Sequence, residues 1–534
     1  MISAPRDLAP FQNELIRDFS DARDRASLEA ALARCAGTLG RRYPLIVDGE
    51  PVHGPRAIAS LNPAHPSQVV GEVDEASPEQ ASRALDVATA RFTTWKRTPA
   101  AERAEFLFRA AERIRATKDD WNALLVFEVG KTWIEADADT AEAIDFLEFY
   151  GREALRLENP APLTPIAGER NRLVYRPLGV GVIIPPWNFA LAIMAGMSSA
   201  AIVAGNTVLL KPSPDAAVIA ARFVNLMHEL GLPPGVLNFV PGDGPTVGEQ
   251  LVTDPRTRFV SFTGSKGVGL RINELAAKTP AGQRWIKRVI AEMGGKDAIV
   301  VADDADLDAA VKGVVASAFG FAGQKCSACS RAIVDRSLYP EFLRRLVPLV
   351  EALRVGDPAD QASDVGPVIN QKAVDKILGY VEAGRTEGRL LTGGRRLEGD
   401  GYYIAPTVVA DVSSGARVAQ EEIFGPFVAV IPADGFEDAL RIANDTEFGL
   451  TGAVYTTDPA RLRQAEDEFF VGNLYLNRKC TGALVGGQPF GGFKLSGTDS
   501  KAGGYDYLLL LTQAQSISEK IGQQAADDLA TGMD

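Results

Sequence analysis

The spacing of apolar residues changes twice along the chain. From about 78 to 150 they recur among charged residues at helical intervals (Phe106, Phe108, Ile114, Leu124, Leu125, Phe127), which predicts several packed helices. Between 177 and 301 the pattern turns to short apolar runs separated by longer helical intervals. GVGVII (179–184), TVLL (207–210), LNFV (237–240), FVSFT (259–263) and AIVV (298–301) are the strand candidates. Such alternation predicts a parallel sheet with crossover helices, a natural frame for a dinucleotide. A second alternating region follows Ala302 and runs to about 455, with strands expected at 331–334, 426–431 and 453–455. The first 40 residues read as a helical arm, and Asp48-Gly49 within 43–51 reads as the turn of a β-hairpin. Residues 472–511 are rich in Gly, Asn and apolar residues, a polar tail follows from about Ser516, and no repeat or low-complexity linker interrupts the pattern.

Composition narrows the picture. At 534 residues the chain exceeds one ordinary core, so two or three packed units are expected. A hydrophobic share of 46% with 23% charged residues is that of a soluble globular protein. A net charge of −13 argues against nucleic acid or an anionic membrane as partner. No apolar run approaches the ~20 residues that span a bilayer. The first residues mix acidic and basic side chains, so neither a secretory signal nor a basic transit peptide fits, and the cytoplasm is the expected location. Four scattered cysteines give no disulfide framework, and three dispersed histidines give neither a zinc site nor a histidine-activated nucleophile. No metal is expected.

Candidate chemistry concentrates in a few segments. FGFAGQKCSACS (319–330) sets Cys326 after a glycine turn among small residues, and RVIAEMGGK (288–296) ends an apolar run at Glu292 beside two glycines. A thiol needs activation to act as a nucleophile, by a helix N-terminus or a nearby cation. PPWNFA (185–190) places Asn188 after a strand, KPS (211–213) ends another, FTGSKGVG (262–269) forms a strand-to-helix turn, and QEEIFGPF (420–427) follows the thiol. Each has a plain structural alternative: a small buried hydrophobe for Cys326, an N-cap for Asn188, a surface position for Lys211, loop geometry for the glycines. Cys326 and Cys329 also form a CxxC, which reads as a redox pair or half a zinc site; the second CxxC that zinc would need is absent.

Taken in this order, from about residue 44 to 511, these segments resemble those of the aldehyde dehydrogenase family. The resemblance implies an aldehyde dehydrogenase-like α/β fold. Its expected parts are an N-terminal helical arm (1–40), a Rossmann-type NAD-binding domain (41–150 and 176–300), an α/β catalytic domain (301–470) and a small β oligomerisation element (151–175 and 485–515). It implies Cys326 as nucleophile, Glu292 as general base, and Asn188 with the Cys326 N–H as oxyanion donors. It gives NAD the residues Ile184, Pro185, Pro186, Trp187, Lys211, Ser213, Gly264, Ser265, Gly269, Glu422 and Phe424. Where the family usually has a glutamate for the adenosine 2′-hydroxyl this chain has Pro214, so tolerance of NADP is expected as well.

Three segments, GQKCSACSR, NRKCTGALVGGQPFGGFKLSG (477–497) and ADADTAEAIDFLEFY (136–150), narrow the resemblance to a branch that oxidises L-glutamate γ-semialdehyde to L-glutamate in proline degradation. For that substrate, Ser327, Gly482 and Ala483 match the carboxylate anchor. Glu142 matches the acidic residue at the ammonium, and Phe189 and Phe490 flank the aliphatic chain. The alternatives are a dehydrogenase of another aldehyde such as succinate semialdehyde, and a non-enzymatic binding protein on the same scaffold, which is expected to lack the thiol or the base. The resemblance also implies a homo-oligomer and a separate proline dehydrogenase as metabolic partner. Oxidation of Cys326 and Cys329 to a disulfide is a further expectation.

Overall fold

Strands form at the branched apolar runs, and the computed structural model, which describes residues 8–521, gathers them into two seven-stranded sheets. The first runs, in spatial order, Arg288–Glu292, Thr257–Thr263, Val180–Ile184, Thr207–Leu210, Leu237–Phe239, Leu45–Val47 and Glu50–Val52. Its first five strands are parallel, and apolar clusters cover both faces. The hairpin that closes it turns at Asp48 and Gly49, both with positive φ (59° and 78°), as a type I′ turn requires.

Register decides where the chemistry sits. Ile184 lies opposite Phe262, and Thr263 opposite Glu292, so three neighbouring strands end at one level. Their following turns (PPWNFA, TGS and MGG) therefore open on the same carboxyl edge of the sheet. Four helices, Pro78–Trp95, Ala100–Ala116, Lys118–Val129 and Trp133–Glu158, form the expected helical region. The small-residue helix Ala192–Val203 packs closely on the last of these: a Cβ on Gly196 would stand 2.9 Å from the Phe146 ring.

AIVV belongs elsewhere than expected. Ala298–Val301 pairs in parallel with Arg331–Asp335 and Thr451–Tyr455 at the centre of the second sheet, whose remaining strands are Phe427–Ala433, Thr407–Ala410, Arg389–Thr392 and Asn473–Leu476. The chain leaves the first sheet at Glu292 and turns through Gly294-Gly295. A Cβ on Gly294 would stand 2.3 Å from the Glu422 carboxylate, and one on Gly295 2.5 Å from the Cys326 carbonyl. The passage between sheets thus falls before 298 rather than after 300, and the second sheet extends past 470.

The arm also differs. Only Ala22–Ala36 is helical; among the described residues, 8–20 run without helix. There the Glu14 and Arg17 N–H groups donate to the Asp145 and Asp137 carboxylates of the long helix, which satisfies backbone groups that a helix would have used itself. The small β element is an antiparallel ribbon of Glu169–Pro177 with Thr512–Lys520. Residues 151–158 complete the long helix instead, and part of the expected polar tail, 516–520, is strand. The last thirteen residues of the tail lie outside the described residues. Among the described residues no helix is long and apolar enough to cross a membrane.

Candidate active site

Cys326 follows three consecutive left-handed residues, Phe321 (φ 54°), Ala322 (φ 51°) and Gly323 (φ 67°), that break the chain away from the helix Leu307–Phe319. Side chains without a flexible backbone rarely hold this conformation, and the surroundings fix it here. Gln324 does most of the fixing. Its Oε1 accepts from Ile369 N at 2.8 Å, its Nε2 donates to the Phe321 and Pro367 carbonyls at 3.3 Å, and its own carbonyl accepts from Asn188 Nδ2 at 3.0 Å. Asn188 is buried and is an amide donor aimed at the nucleophile turn, not an N-cap. No helix begins at the thiol: residues 325–327 are bend and turn, and 328–330 run irregularly to the strand at Arg331. Burial, then the carboxylates of Asp297, Glu292 and Glu422, push the Cys326 thiol upward, an environment that favours the protonated thiol.

Cys329 does not pair with Cys326. Its sulfur is buried in the second sheet's core, reaches the Arg331 carbonyl at 3.4 Å and faces the thiol of Cys480. The 326–329 disulfide expected on oxidation therefore has no preformed geometry. Among the described residues no group of three His, Cys, Asp or Glu is arranged to hold a metal.

Glu292 sits at the end of its strand with the carboxylate accepting from Gly492 N at 3.1 Å and from the Ser500 hydroxyl. Burial raises it to about 7 against the lowering by those donors, which suits a base working near neutrality. Glu292 and Cys326 share a cavity of about 120 Å³. Every residue expected at the substrate lines it: Glu142, Phe189, Ser327, Gly482, Ala483 and Phe490. Glu142 is no solvated helix position; burial and then the neighbouring Asp139 raise its carboxyl to about 8. Gly482 is left-handed (φ 79°), and Arg478 pins its loop by donating to the Thr481 and Gly482 carbonyls at 3.1 and 3.2 Å. The Gly482 and Ala483 N–H groups make no backbone hydrogen bond among the described residues, so both remain available to an anion.

The edge built by the three aligned turns carries the dinucleotide candidates. Ile184, Pro185, Pro186 and Trp187 leave the central strand there, and Trp187 meets the Phe424 ring edge-on at 5.7 Å, with Phe424 itself at φ 59°. Lys211 is buried, and burial lowers its ammonium despite Asp243 and Glu75 nearby. Ser265 is the N-cap of Lys266–Ala277 with no side-chain bond across that helix end, and Gly264 precedes it. An ammonium and an uncapped helix N-terminus on one sheet edge fit a pyrophosphate-bearing cofactor. Ser213 caps a short 3-10 turn with Pro214 exposed, and Asp215 is turned away to accept from Asn370. Glu422 accepts from Gly295 N at 3.1 Å beside Lys376 and Lys296. Gly269 faces the core, where a Cβ would stand 2.5 Å from Met293 Sδ, so packing by itself already requires a glycine there.

Sequence reasoning missed Gln324, Ser500, Arg478 and Lys131. Gln324 carried a signal in its place two residues before the thiol, whereas Ser500 meets Glu292 only through tertiary folding across 208 positions.

The sequence profile of the aldehyde dehydrogenase family matches residues 51–517. The chain belongs to the aldehyde dehydrogenase family. Within it, the chain is 56% identical to 1-pyrroline-5-carboxylate dehydrogenase of Geobacillus kaustophilus over 510 residues, 96% of this chain and 99% of the relative. A solved structure of 1-pyrroline-5-carboxylate dehydrogenase from Thermus with bound NAD superposes with a TM-score of 0.95 at 50% identity, covering 96% of this chain and 100% of that one. Proline utilization A from Bdellovibrio bacteriovorus matches with a TM-score of 0.94 at 42% identity; 96% of this chain is covered, but only 53% of that longer one.

Proposed function

We propose that this protein oxidises L-glutamate γ-semialdehyde, the open form of 1-pyrroline-5-carboxylate, to L-glutamate with NAD, the second step of proline degradation. The observation that carries the reading is the cavity's lining, in which the Cys326 thiol and the near-neutral Glu292 carboxylate meet Glu142, Gly482, Ala483, Phe189 and Phe490. On this reading the first two form a chemical end, Glu142 and the N–H groups of Gly482 and Ala483 a recognition end, and the two rings flank the chain between them.

Cys326 attacks the aldehyde carbon, forming a thiohemiacetal whose oxygen is held by Asn188 Nδ2 and the Cys326 N–H. When bound, NAD would supply the hydride acceptor and a positive charge that favours the thiolate. Phe424 and Trp187 would wall its nicotinamide, Glu422 and Lys211 would hold ribose hydroxyls, and the Gly264-Ser265 turn would receive the pyrophosphate. The thioester left on Cys326 is hydrolysed by water that Glu292 deprotonates. Ser327, Gly482 and Ala483 hold the substrate carboxylate, Glu142 its ammonium. With Pro214 at the adenosine end no carboxylate repels a 2′-phosphate, so NADP is tolerated beside NAD.

A proline dehydrogenase on a separate chain is the expected source of substrate in the cytoplasm, a link the likeness to proline utilization A supports. The exposed ribbon of Glu169–Pro177 and Thr512–Lys520 supports a homo-oligomer, because a lone two-stranded ribbon is marginal in water. The test of the function is NAD reduction with 1-pyrroline-5-carboxylate beside succinate semialdehyde and propanal. A strong preference for the first with L-glutamate as product supports the reading; comparable rates with the others contradict it.

A further inference from the structure

Lys131 is the single residue between Gly130, a left-handed helix cap, and Thr132, the N-cap of Trp133–Glu158. It is 1% exposed. Its one carboxylate partner is Asp139 at 3.4 Å, and its Nζ stands 4.3 Å from the ring centroids of both Phe189 and Phe321. The ammonium is thus enclosed by one carboxylate and two ring faces, and it joins Phe189, Phe321 and Asp139 through a single charged group.

What the cation touches indicates the purpose. Phe189 lines the cavity, and Phe321 is the first of the left-handed residues leading to Cys326. Asp139 also accepts from Ala192 N at 2.7 Å, at the start of the helix that carries Ile193 and Met197 into the cavity wall. Glu142 stands three residues after Asp139, on the same side of the long helix. Resting on the substrate reading above, we propose that Lys131 is a positioning residue for an ammonium-bearing aldehyde. Its charge clamps the Phe189 wall to the nucleophile turn and sets the field in which Glu142 receives the substrate's ammonium.

The charges that face Glu142 give this a sign. Asp139 and Asp145, on its own helix, hold its proton on; Lys131 from the interhelix step and Lys325 from the nucleophile turn draw it off. Tyr150, about two turns further along the same helix, and Glu292, Cys326 and Tyr507, which line the same cavity, are further titratable groups around it. The ammonium is received by the carboxylate, so KM for the amino-acid aldehyde rises as pH falls below about 8. Without Lys131 only Lys325 remains on that side, itself beside Glu135, and the limb moves to higher pH.

The test measures KM and kcat across pH for wild type, K131M and K131R, each with 1-pyrroline-5-carboxylate and with pentanal, a five-carbon aldehyde lacking the charged head. We expect K131M to shift the KM limb for the amino-acid substrate upward, giving about a tenfold higher KM at neutral pH for a one-unit shift. With pentanal K131M should show no such limb, K131R should keep the limb near wild type, and E142Q/K131M should show no limb. An unshifted limb in K131M, an equal change for both substrates, or a limb lost in folded K131R overturns the proposal while leaving the substrate reading intact. A wild type that does not prefer the amino-acid aldehyde to pentanal overturns both.

Discussion

Two carboxylates of the cavity lining are raised by burial in the same direction, Glu292 to about 7 and Glu142 to about 8, yet their company differs; on the proposed reading Glu292 marks the chemical end and Glu142 the recognition end. Glu292 accepts from Gly492 N and the Ser500 hydroxyl, neutral donors that hold it in place while leaving it basic. Glu142 has two like-charged neighbours on its own helix and two lysines facing it, an arrangement that awaits a further cation. One environment suits a base that must gain and lose a proton each turnover, the other a receptor for charge. On the proposed reading the same residue type thus takes two roles according to what surrounds it.

Substitutions that strike one end and spare the other test this contrast. Cys326→Ala should remove dehydrogenation altogether, a loss of about 10⁴-fold or more, read as NAD reduction with any aldehyde. Glu292→Gln should slow steady-state turnover by about 10²- to 10⁴-fold while leaving a first-turnover burst of reduced cofactor, since the base is needed only for hydrolysis. In the unaltered enzyme, hydrolysis should fall as pH drops through about 7, because protonation removes the base. Asn188→Ala should cost about 10²- to 10³-fold in kcat, as for one oxyanion donor, with the Gln324 carbonyl also losing its partner. Glu142→Ala should raise KM for 1-pyrroline-5-carboxylate by about tenfold or more, the scale of one charge-assisted hydrogen bond, and leave propanal nearly untouched. An equal effect on both aldehydes would erase the contrast.

The chemical end was legible in the sequence and the recognition end only by resemblance, for a physical reason. Glu292 and Asn188 stand where apolar runs stop, and a parallel sheet brings such positions to one edge, so local pattern implies tertiary place. Glu142 lies within a long helix whose pattern is amphipathic whether or not a ligand faces it. The Asp48-Gly49 turn was legible because its positive φ values favour those residue types. AIVV was placed in the wrong sheet because a buried strand's composition fits either sheet, and only the close turn at Gly294-Gly295 decides. Gly269 was ambiguous because glycine serves a phosphate and a crowded core alike; here a Cβ would meet Met293. The unhelical stretch at 8–20 depends on Asp137 and Asp145, more than a hundred residues away, which no local spacing reveals.

The most direct test of the division between the two ends is intact-protein mass spectrometry of Glu292→Gln mixed with NAD and 1-pyrroline-5-carboxylate. The account predicts a covalent acyl adduct on Cys326 that accumulates with one equivalent of reduced cofactor and is absent when Cys326 is also replaced by alanine. Cofactor reduction without any adduct, or turnover at the unaltered rate, would contradict it.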